Sequence, residues 1–260
     1  MIIEDLRRVG LGIIDTHVHV FYNDDLNNDL FKAFEKFGVE IAFASIYPFD
    51  LGDINAGHED IVRGNLRVHE LVKRNRVLRG VVYVNLLNPD DIKIAEKLLR
   101  EGFRGVGEIY RSVKPRIKLV EPYAELAKQY DVPLLIHVAH RLYPRSRVGE
   151  AGVRDMCRLA RRWGRVRFII AHISGGGDWE NTIEILRLCD ARNLYIDTGG
   201  SVGDSGVIEA LVKYYFKENI VFGSDNIYTT SIARIEGSSI DPSVKIMIYR
   251  DNPCRVFSCD

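Results

Sequence analysis

Short apolar runs recur along the chain and alternate with segments of helical spacing. Eight of these runs are rich in β-branched and other apolar residues, and each predicts a buried strand. They cover Ile13–Val20, Val39–Tyr47, Val77–Asn85, Phe103–Tyr110, Val132–Ala139, Val166–Ser174, Leu194–Thr198 and Ile220–Asp225. Strands that are apolar on both faces are typical of parallel sheets, so the pattern predicts repeated strand–helix units.

The helix with the clearest start and end signals is predicted between the third and fourth runs. Asn88 is predicted as its N-cap, Pro89 as its first helical residue, and Gly102 as the residue that follows its end.

Eight strand–helix units in 260 residues predict a (β/α)8 barrel, formed as a single domain over residues 1–260. An open doubly wound sheet is the alternative. It is disfavoured because no GxGxxG follows the first run and because polar residues gather at one end of nearly all the runs.

Charge and composition narrow the range of partners. Lys plus Arg and Asp plus Glu both number 36, so bulk charge offers no attraction to nucleic acid or to an anionic membrane. No apolar stretch approaches the roughly 18 residues that a membrane span needs. The first ten residues carry four charges where an export signal would be apolar. We therefore expect a cytoplasmic protein with a small-molecule substrate; its oligomeric state is not indicated.

The four cysteines are scattered and form no CxxC pair, so they are predicted to be free thiols, as in a reducing compartment. Cys157 and Cys189 fall on apolar faces of predicted helices. Buried cysteine behaves there as a small hydrophobic residue.

Candidate chemistry begins in the first run. In His17-Val18-His19 the two imidazoles lie two residues apart on a strand, so they project from the same face, and Asp15 shares that alternation. The two histidines are either metal ligands or a polar pair with a structural role, and the motif alone does not distinguish these interpretations.

Four further residues fall near the ends of later runs: Glu108 in the fourth, His137 in the fifth, His172 in the sixth and Asp225 in the eighth. Barrel enzymes build their sites at these carboxyl ends of the strands. A pocket of imidazole and carboxylate ligands suits zinc, with manganese, iron or nickel as alternatives, better than magnesium or calcium. Isolated core histidines are the competing interpretation, but four at equivalent strand ends make coincidence improbable.

The segments DTHVH, IHVAH, AHISGGG, YIDTGGS, FGSD and NPCRVF together resemble the amidohydrolase superfamily, in particular its amidohydrolase-2-like metal-dependent hydrolases. The resemblance runs through almost the whole chain. The GEI segment that contains Glu108 is also similar to the fourth-strand motif of TatD-type hydrolases, in which a Glu contributes to the metal centre. The chain departs from many amidohydrolases in having no Lys on its fourth strand.

The resemblance implies that His17, His19 and Asp225 bind a divalent metal. It implies that His137 and His172 are ligands or contact the substrate. Glu108 would bridge two ions, or it would form a salt bridge at the barrel rim if only one ion binds. A bound divalent ion lowers the pKa of water toward about 7, and Asp225 would then accept a proton from that water. With a single metal, His172 would be free to act as a base or to polarise a carbonyl.

Residues in the predicted loops are candidates for substrate contact. Arg141 and Arg145 follow the fifth run, and another basic loop follows the fourth, so guanidinium groups would open onto the catalytic face and suit an anionic substrate. A solvated charge cluster is the other reading of these loops. His140 and Tyr47 are weaker candidates for the pocket, and Asp197 is a candidate partner behind a ligand.

The sequence therefore predicts a hydrolase in which metal-bound hydroxide attacks a carbonyl or phosphorus centre of a small substrate. Three alternatives remain open: a decarboxylase with one metal, a catalytically silent metal-binding barrel, and a TatD-like nuclease.

Overall fold

The computed structural model describes residues 1–52, 56–110, 117–138, 151–173, 179–200 and 203–259. Eight strands follow one another around a single sheet in the order of the sequence, and each neighbouring pair is parallel. They are β1 Ile13–Val20, β2 Val39–Ile46, β3 Leu78–Val82, β4 Gly105–Ile109, β5 Leu134–His137, β6 Phe168–Ala171, β7 Leu194–Asp197 and β8 Ile220–Val221. The predicted (β/α)8 barrel is confirmed, and every predicted run contains one strand.

Helices follow the strands and cover the outside of the barrel. They are α1 Ile2–Arg8, α2 Asp24–Phe37, α3 His58–Arg74, α4 Asp91–Arg100, α5 Ile117–Tyr130, α6 Val153–Arg162, α7 Trp179–Arg187, α8 Gly206–Tyr214, α9 Tyr228–Glu236, α10 Pro242–Ile246 and α11 Asn252–Phe257. Short 3-10 turns span Pro48–Leu51 and Lys217–Asn219, and a π-helical turn spans Met247–Asp251. Among the described residues, no helix is both long and apolar enough to cross a membrane.

The barrel closes between β8 and β1 through individual hydrogen bonds. The backbone N–H of Thr16 donates to Phe222 O over 2.9 Å, and the N–H of Asp225 donates to His17 O over 2.9 Å. At the amino end of the strands, α11 covers the opening, and the ring of Phe257 stacks on Phe43 with a centroid separation of 3.9 Å. The polar site is therefore confined to the opposite, carboxyl end of the barrel.

The predicted start of α4 is wrong by two residues, because the helix begins at Asp91 and not at Pro89. The Asn88 side chain donates to Ala56 O over 3.1 Å instead of capping a helix. The Asp91 carboxylate accepts the backbone N–H of Asn85 over 2.9 Å. These contacts hold the intervening residues in a turn that precedes the helix.

The prediction of free thiols is also wrong. Cys157 on α6 is bonded to Cys189 beyond α7, with their Cα atoms 5.6 Å apart, and Cys254 is bonded to Cys259. Helices α6 and α7 lie side by side, and this packing brings together two cysteines that are 32 residues apart in the sequence. Because the cysteines are disulfide-bonded, they no longer support the expectation of a reducing compartment.

Candidate metal centre

The side chains of β1 place two imidazoles inside the barrel. His17 and His19 are buried, and their Nε2 atoms lie 3.1 Å apart. Asp225, which follows β8, brings its Oδ1 to 3.8 Å from His17 Nε2 and 3.4 Å from His19 Nε2. Ligand atoms that surround a tetrahedral ion at about 2.0–2.2 Å lie about 3.3–3.6 Å from one another. The spacing of these three donor atoms therefore fits one shared cation.

Glu108 connects this group to a second one. Its Oε1 lies 2.8 Å from His137 Nδ1 and 3.3 Å from His172 Nε2. Its Oε2 faces the first group and lies 3.6 Å from His17 Nε2 and 3.3 Å from His19 Nε2. The six side chains form one continuous arrangement, hereafter the donor cluster: His17, His19, Glu108, His137, His172 and Asp225.

A glycine is required beside Glu108. Gly107 has φ +142°, and a Cβ atom at this position would lie 2.3 Å from the carbonyl oxygen of Leu135 on β5. No larger residue fits this approach of β4 to β5. The close packing of the two strands brings Glu108 within hydrogen-bond distance of His137.

Asp197, at the end of β7, supports both groups from behind. Its Oδ2 lies 2.8 Å from His17 Nδ1, and its Oδ1 accepts the backbone N–H of His172 over 2.8 Å. A hydrogen bond at Nδ1 holds the imidazole in the tautomer whose Nε2 lone pair faces the cluster. Asp197 thus has the supporting position that the sequence suggested. Ser45 Oγ lies 3.2 Å from His19 Nδ1 in a comparable position.

Two members of the donor cluster have left-handed backbone conformations, with φ +61° at His172 and +49° at Asp225. Asn226 follows with φ +60°. Its side chain accepts the N–H of His19 over 3.0 Å and donates to His19 O over 2.8 Å. Such conformations are costly for residues other than glycine and persist where the surroundings hold them. The turn after β8 is therefore fixed to β1 by its own hydrogen bonds.

Mutual charge compensation dominates the electrostatics of the cluster. Burial opposes ionisation of His17, but the carboxylates of Asp197 and Glu108 outweigh it and raise the pKa of His17 well above its usual value. Burial also acts to raise the pKa of Glu108, but contacts with His137 and His17 hold it well below its usual range. The pKa of Asp225 is lowered in the same way, chiefly by His172 against the effect of burial. Without a cation the cluster thus favours ionised carboxylates and protonated imidazoles, so a cation that binds here would displace protons from the imidazole nitrogens.

A cavity of about 200 Å³ opens above the donor cluster. Its wall carries three aromatic rings: Tyr47, Phe49 and Tyr110. The Tyr110 ring lies 4.6 Å from the His137 ring, and the Tyr47 ring lies 5.9 Å from the His19 ring, measured between centroids. Asp225 reaches the cavity and is 24% exposed, whereas Glu108 is 1% exposed.

Tyr47 lines this cavity, as the sequence suggested, but Phe49 and Tyr110 were missed. Tyr110 lies two residues after Glu108, so the alternation of a strand already directed it inward. Phe49 lies on a 3-10 turn and gave no such signal. Arg141, Arg145 and His140 lie outside the described residues, as does the other predicted basic loop.

Arg234 on α9 was also missed. Its side chain is buried, and its guanidinium donates to three successive carbonyls after β7, those of Thr198, Gly199 and Gly200, over 2.5, 2.9 and 3.1 Å. Burial lowers its pKa to about 10, so it stays charged at neutral pH. The segment it holds contains Gly200, which lies against the His172 ring.

Solved structures of low sequence identity share this fold. A 2,6-dihydroxybenzoate decarboxylase from Rhizobium superimposes with a TM-score of 0.71 at 16% identity, covering 95% of this chain and 98% of the other. The 4-oxalomesaconate hydratase from Rhodopseudomonas palustris gives 0.70 at 16% identity, covering 94% and 96%. A manganese-bound dihydroxybenzoic acid decarboxylase from a Polaromonas species gives 0.69 at 14% identity, covering 95% and 97%. At these identities the likeness establishes the common barrel.

Comparison with curated protein sequences finds no match. The family is established instead by a family model built from many sequences. The amidohydrolase family model matches residues 14–258. This range begins in β1, ends just after α11 and includes the whole donor cluster. This chain therefore belongs to the amidohydrolase family.

Proposed function

We propose that this chain is a metal-dependent hydrolase whose donor cluster holds one or two divalent cations, with zinc as the expected ion. The observation that carries the proposal is the position of Glu108, whose two carboxylate oxygens face two separate groups of imidazole nitrogens. A bound divalent ion would polarise a substrate carbonyl and lower the pKa of water, which makes hydroxide available at neutral pH. Manganese, iron and nickel suit the same ligands, and one structural relative holds manganese.

The proton-transfer role falls to Asp225. Its Oδ1 faces His17 and His19, while its Oδ2 lies 3.4 Å from His172 Nδ1. Asp225 also reaches the cavity, so it has access to both the nucleophile and the substrate. We propose that Asp225 accepts the proton of the attacking water and that His172 helps to return it to the leaving group.

The cavity favours a small substrate with a planar apolar part. Three rings form one wall, and the donor cluster forms the floor. Aromatic walls bind flat groups by stacking or edge contacts, and polar groups at the floor orient the reacting bond. An anionic substrate remains a proposal that depends on Arg141 and Arg145.

Decarboxylation is the second candidate. The same aromatic wall would hold an aryl carboxylate with its carboxyl group at the cluster, and two structural relatives are decarboxylases of dihydroxybenzoates. If the donor cluster held a single cation, which would stabilise the charge that develops on loss of the carboxylate, His137 or His172 would be available for proton transfer.

The reaction can be identified by incubating the metal-loaded protein with aryl carboxylates, lactones and amides in water enriched in oxygen-18. A hydrolase incorporates the label into its product, whereas a decarboxylase releases carbon dioxide without that label entering the organic product. We expect incorporation, and loss of turnover in Asp225→Asn with the fold retained. Metal binding with neither reaction across the panel would favour a silent barrel, and cleavage of nucleic acid would favour a nuclease.

A further inference from the structure

A groove rich in arginine lies at the amino end of the barrel, opposite the donor cluster. It has a volume of about 490 Å³ and lies between the end of α6 and the segments that lead into β6 and β7. Arg161, Arg165, Arg167 and Arg192 line it, together with the single carboxylate Asp190. The volume is within the range of small-molecule sites.

The charge of the groove is not balanced locally. Arg167 pairs with Asp131, at 2.8 Å, beside the groove. Even with Asp131 and Asp190 both counted, the four arginines leave an excess of two positive charges. Within the described part of the chain, neither Arg165 nor Arg192 has an ion-pair partner. The groove therefore carries guanidinium groups that are available to an anion.

Two of the guanidinium groups are held in place before any ligand binds. The Arg192 guanidinium lies 3.6 Å from the centroid of the Phe216 ring, and Arg161 donates to Leu188 O over 2.7 Å. Holding these groups in advance reduces the entropy that binding would otherwise cost.

Arginines at the end of a helix often serve only to cap its last carbonyls. Here that role belongs to Asn193, whose Nδ2 donates to the carbonyls of Ala160, Trp163 and Val166 over 3.0, 3.0 and 2.7 Å. Because α6 is already capped, capping does not account for Arg165 and Arg192, the two arginines of the groove that have no ion-pair partner among the described residues.

We infer that this groove binds a small polyanion that carries at least two phosphate groups. Guanidinium groups match phosphate oxygens with paired hydrogen bonds, and several arginines around one concavity suit more than a single anion. The groove lies at the start of β6 and β7, whereas His172 and Asp197 lie at their ends. The inference does not depend on the reaction proposed for the donor cluster.

Isothermal titration with inorganic tripolyphosphate tests this site on the metal-loaded protein. We expect one saturable site per chain that weakens as salt rises. The double variant Arg165→Ser/Arg192→Ser should lose affinity by about tenfold or more. Its melting temperature without ligand should fall only slightly, because the contact of Arg192 with the Phe216 ring is lost. The matched control, Arg63→Ser/Arg74→Ser, removes the same charge from α3 and should bind as the wild type does.

Four results would overturn the inference. The first is the absence of saturable binding, and the second is equal loss of affinity in the groove and control variants. The third is binding that the groove variant leaves unchanged, which would place the polyphosphate elsewhere, including at the metal. Sulfate serves as the single-anion comparison, and equal affinity for sulfate and tripolyphosphate would exclude a site for two phosphate groups.

Discussion

The Nδ1 atom of His17 lies 2.8 Å from Oδ2 of Asp197, and both side chains are fully buried. The contact joins β1 to β7 across the barrel interior. It directs Nε2 of His17 into the donor cluster, because an imidazole that donates from one nitrogen offers its lone pair at the other.

Replacing Asp197 with Asn should therefore weaken metal binding by about 10- to 100-fold, since the amide cannot hold the imidazole in the same tautomer. Competition with a coloured chelator measures the affinity. Asp29→Asn, which changes an exposed carboxylate on α2, is the control and should bind metal as the wild type does. Unchanged affinity in Asp197→Asn would mean that His17 does not need this support.

Glu108→Gln should lower the metal content of the saturated protein from two equivalents to one. Two cations roughly 3.5–4 Å apart repel each other, and Glu108 supplies the bridging negative charge that imidazoles cannot. Elemental analysis by mass spectrometry after dialysis gives the stoichiometry. One equivalent in both proteins would mean that the wild type holds a single ion and that Glu108 orients its histidine neighbours.

Arg234→Met should lower the free energy of unfolding by about 3 kcal/mol or more, because three buried carbonyls lose a charged donor. Denaturant unfolding measures this loss. Arg234→Lys keeps the charge but cannot reproduce the planar fork, so an intermediate value is expected. If both the Arg234→Met and the Arg234→Lys variants were as stable as the wild type, other contacts would hold the segment after β7.

The two disulfides should contribute unequally to stability. Loop entropy predicts a loss of about 4 kcal/mol for Cys157→Ala/Cys189→Ala and about 2 kcal/mol for Cys254→Ala/Cys259→Ala. The difference arises because the first bond spans 32 residues and the second spans 5. Unfolding curves with and without reductant measure both contributions. If reductant left the unfolding curve of the wild type unchanged, the disulfide bonds would not be formed in solution.

Acid should weaken the contact between Glu40 and Arg250. Hydrogen bonding from Arg250 lowers the pKa of Glu40 below its usual 4.5, so the folded state favours the ionised carboxylate. The stabilisation is complete above pH 4.5 and is lost as the pH falls through the lowered pKa. Glu40→Gln should therefore be less stable by about 0.5–1 kcal/mol at pH 7 and match the wild type in acid. A difference that persists in acid would assign the effect to packing.

The strands were predictable because a parallel barrel buries both faces of each strand, and this requirement appears in the sequence as short apolar runs. The positions of His17 and Glu108 followed from the same logic, since alternation and strand ends determine where their side chains point. The bounds of β1 were predicted correctly, but the later strands are shorter than the predicted runs, as at β8. There the apolar run continues to Asp225, but the ladder ends at Val221 because the chain turns to meet β1.

Features that depend on distant contacts were not predictable. The bond between Cys157 and Cys189 requires two helices to pack at one particular distance. Arg234 resembles any surface arginine in the sequence, and only the fold shows that it reaches the carbonyls after β7. Phe49 reaches the cavity because a 3-10 turn carries it there. In each case the determining neighbour lies far away in the sequence, or in a turn without a repeating pattern.

The closure between β8 and β1 ties metal affinity to folding. β8 contains only two residues, and the hydrogen bonds that join this side of the barrel to β1 flank His17 and Asp225 themselves. A folding intermediate with an open ring would contain these two ligands at opposite edges, so it would lack a complete site. Cation uptake would thus report that the ring has closed. A cation that binds only the closed ring would add its binding free energy to the stability of the whole barrel.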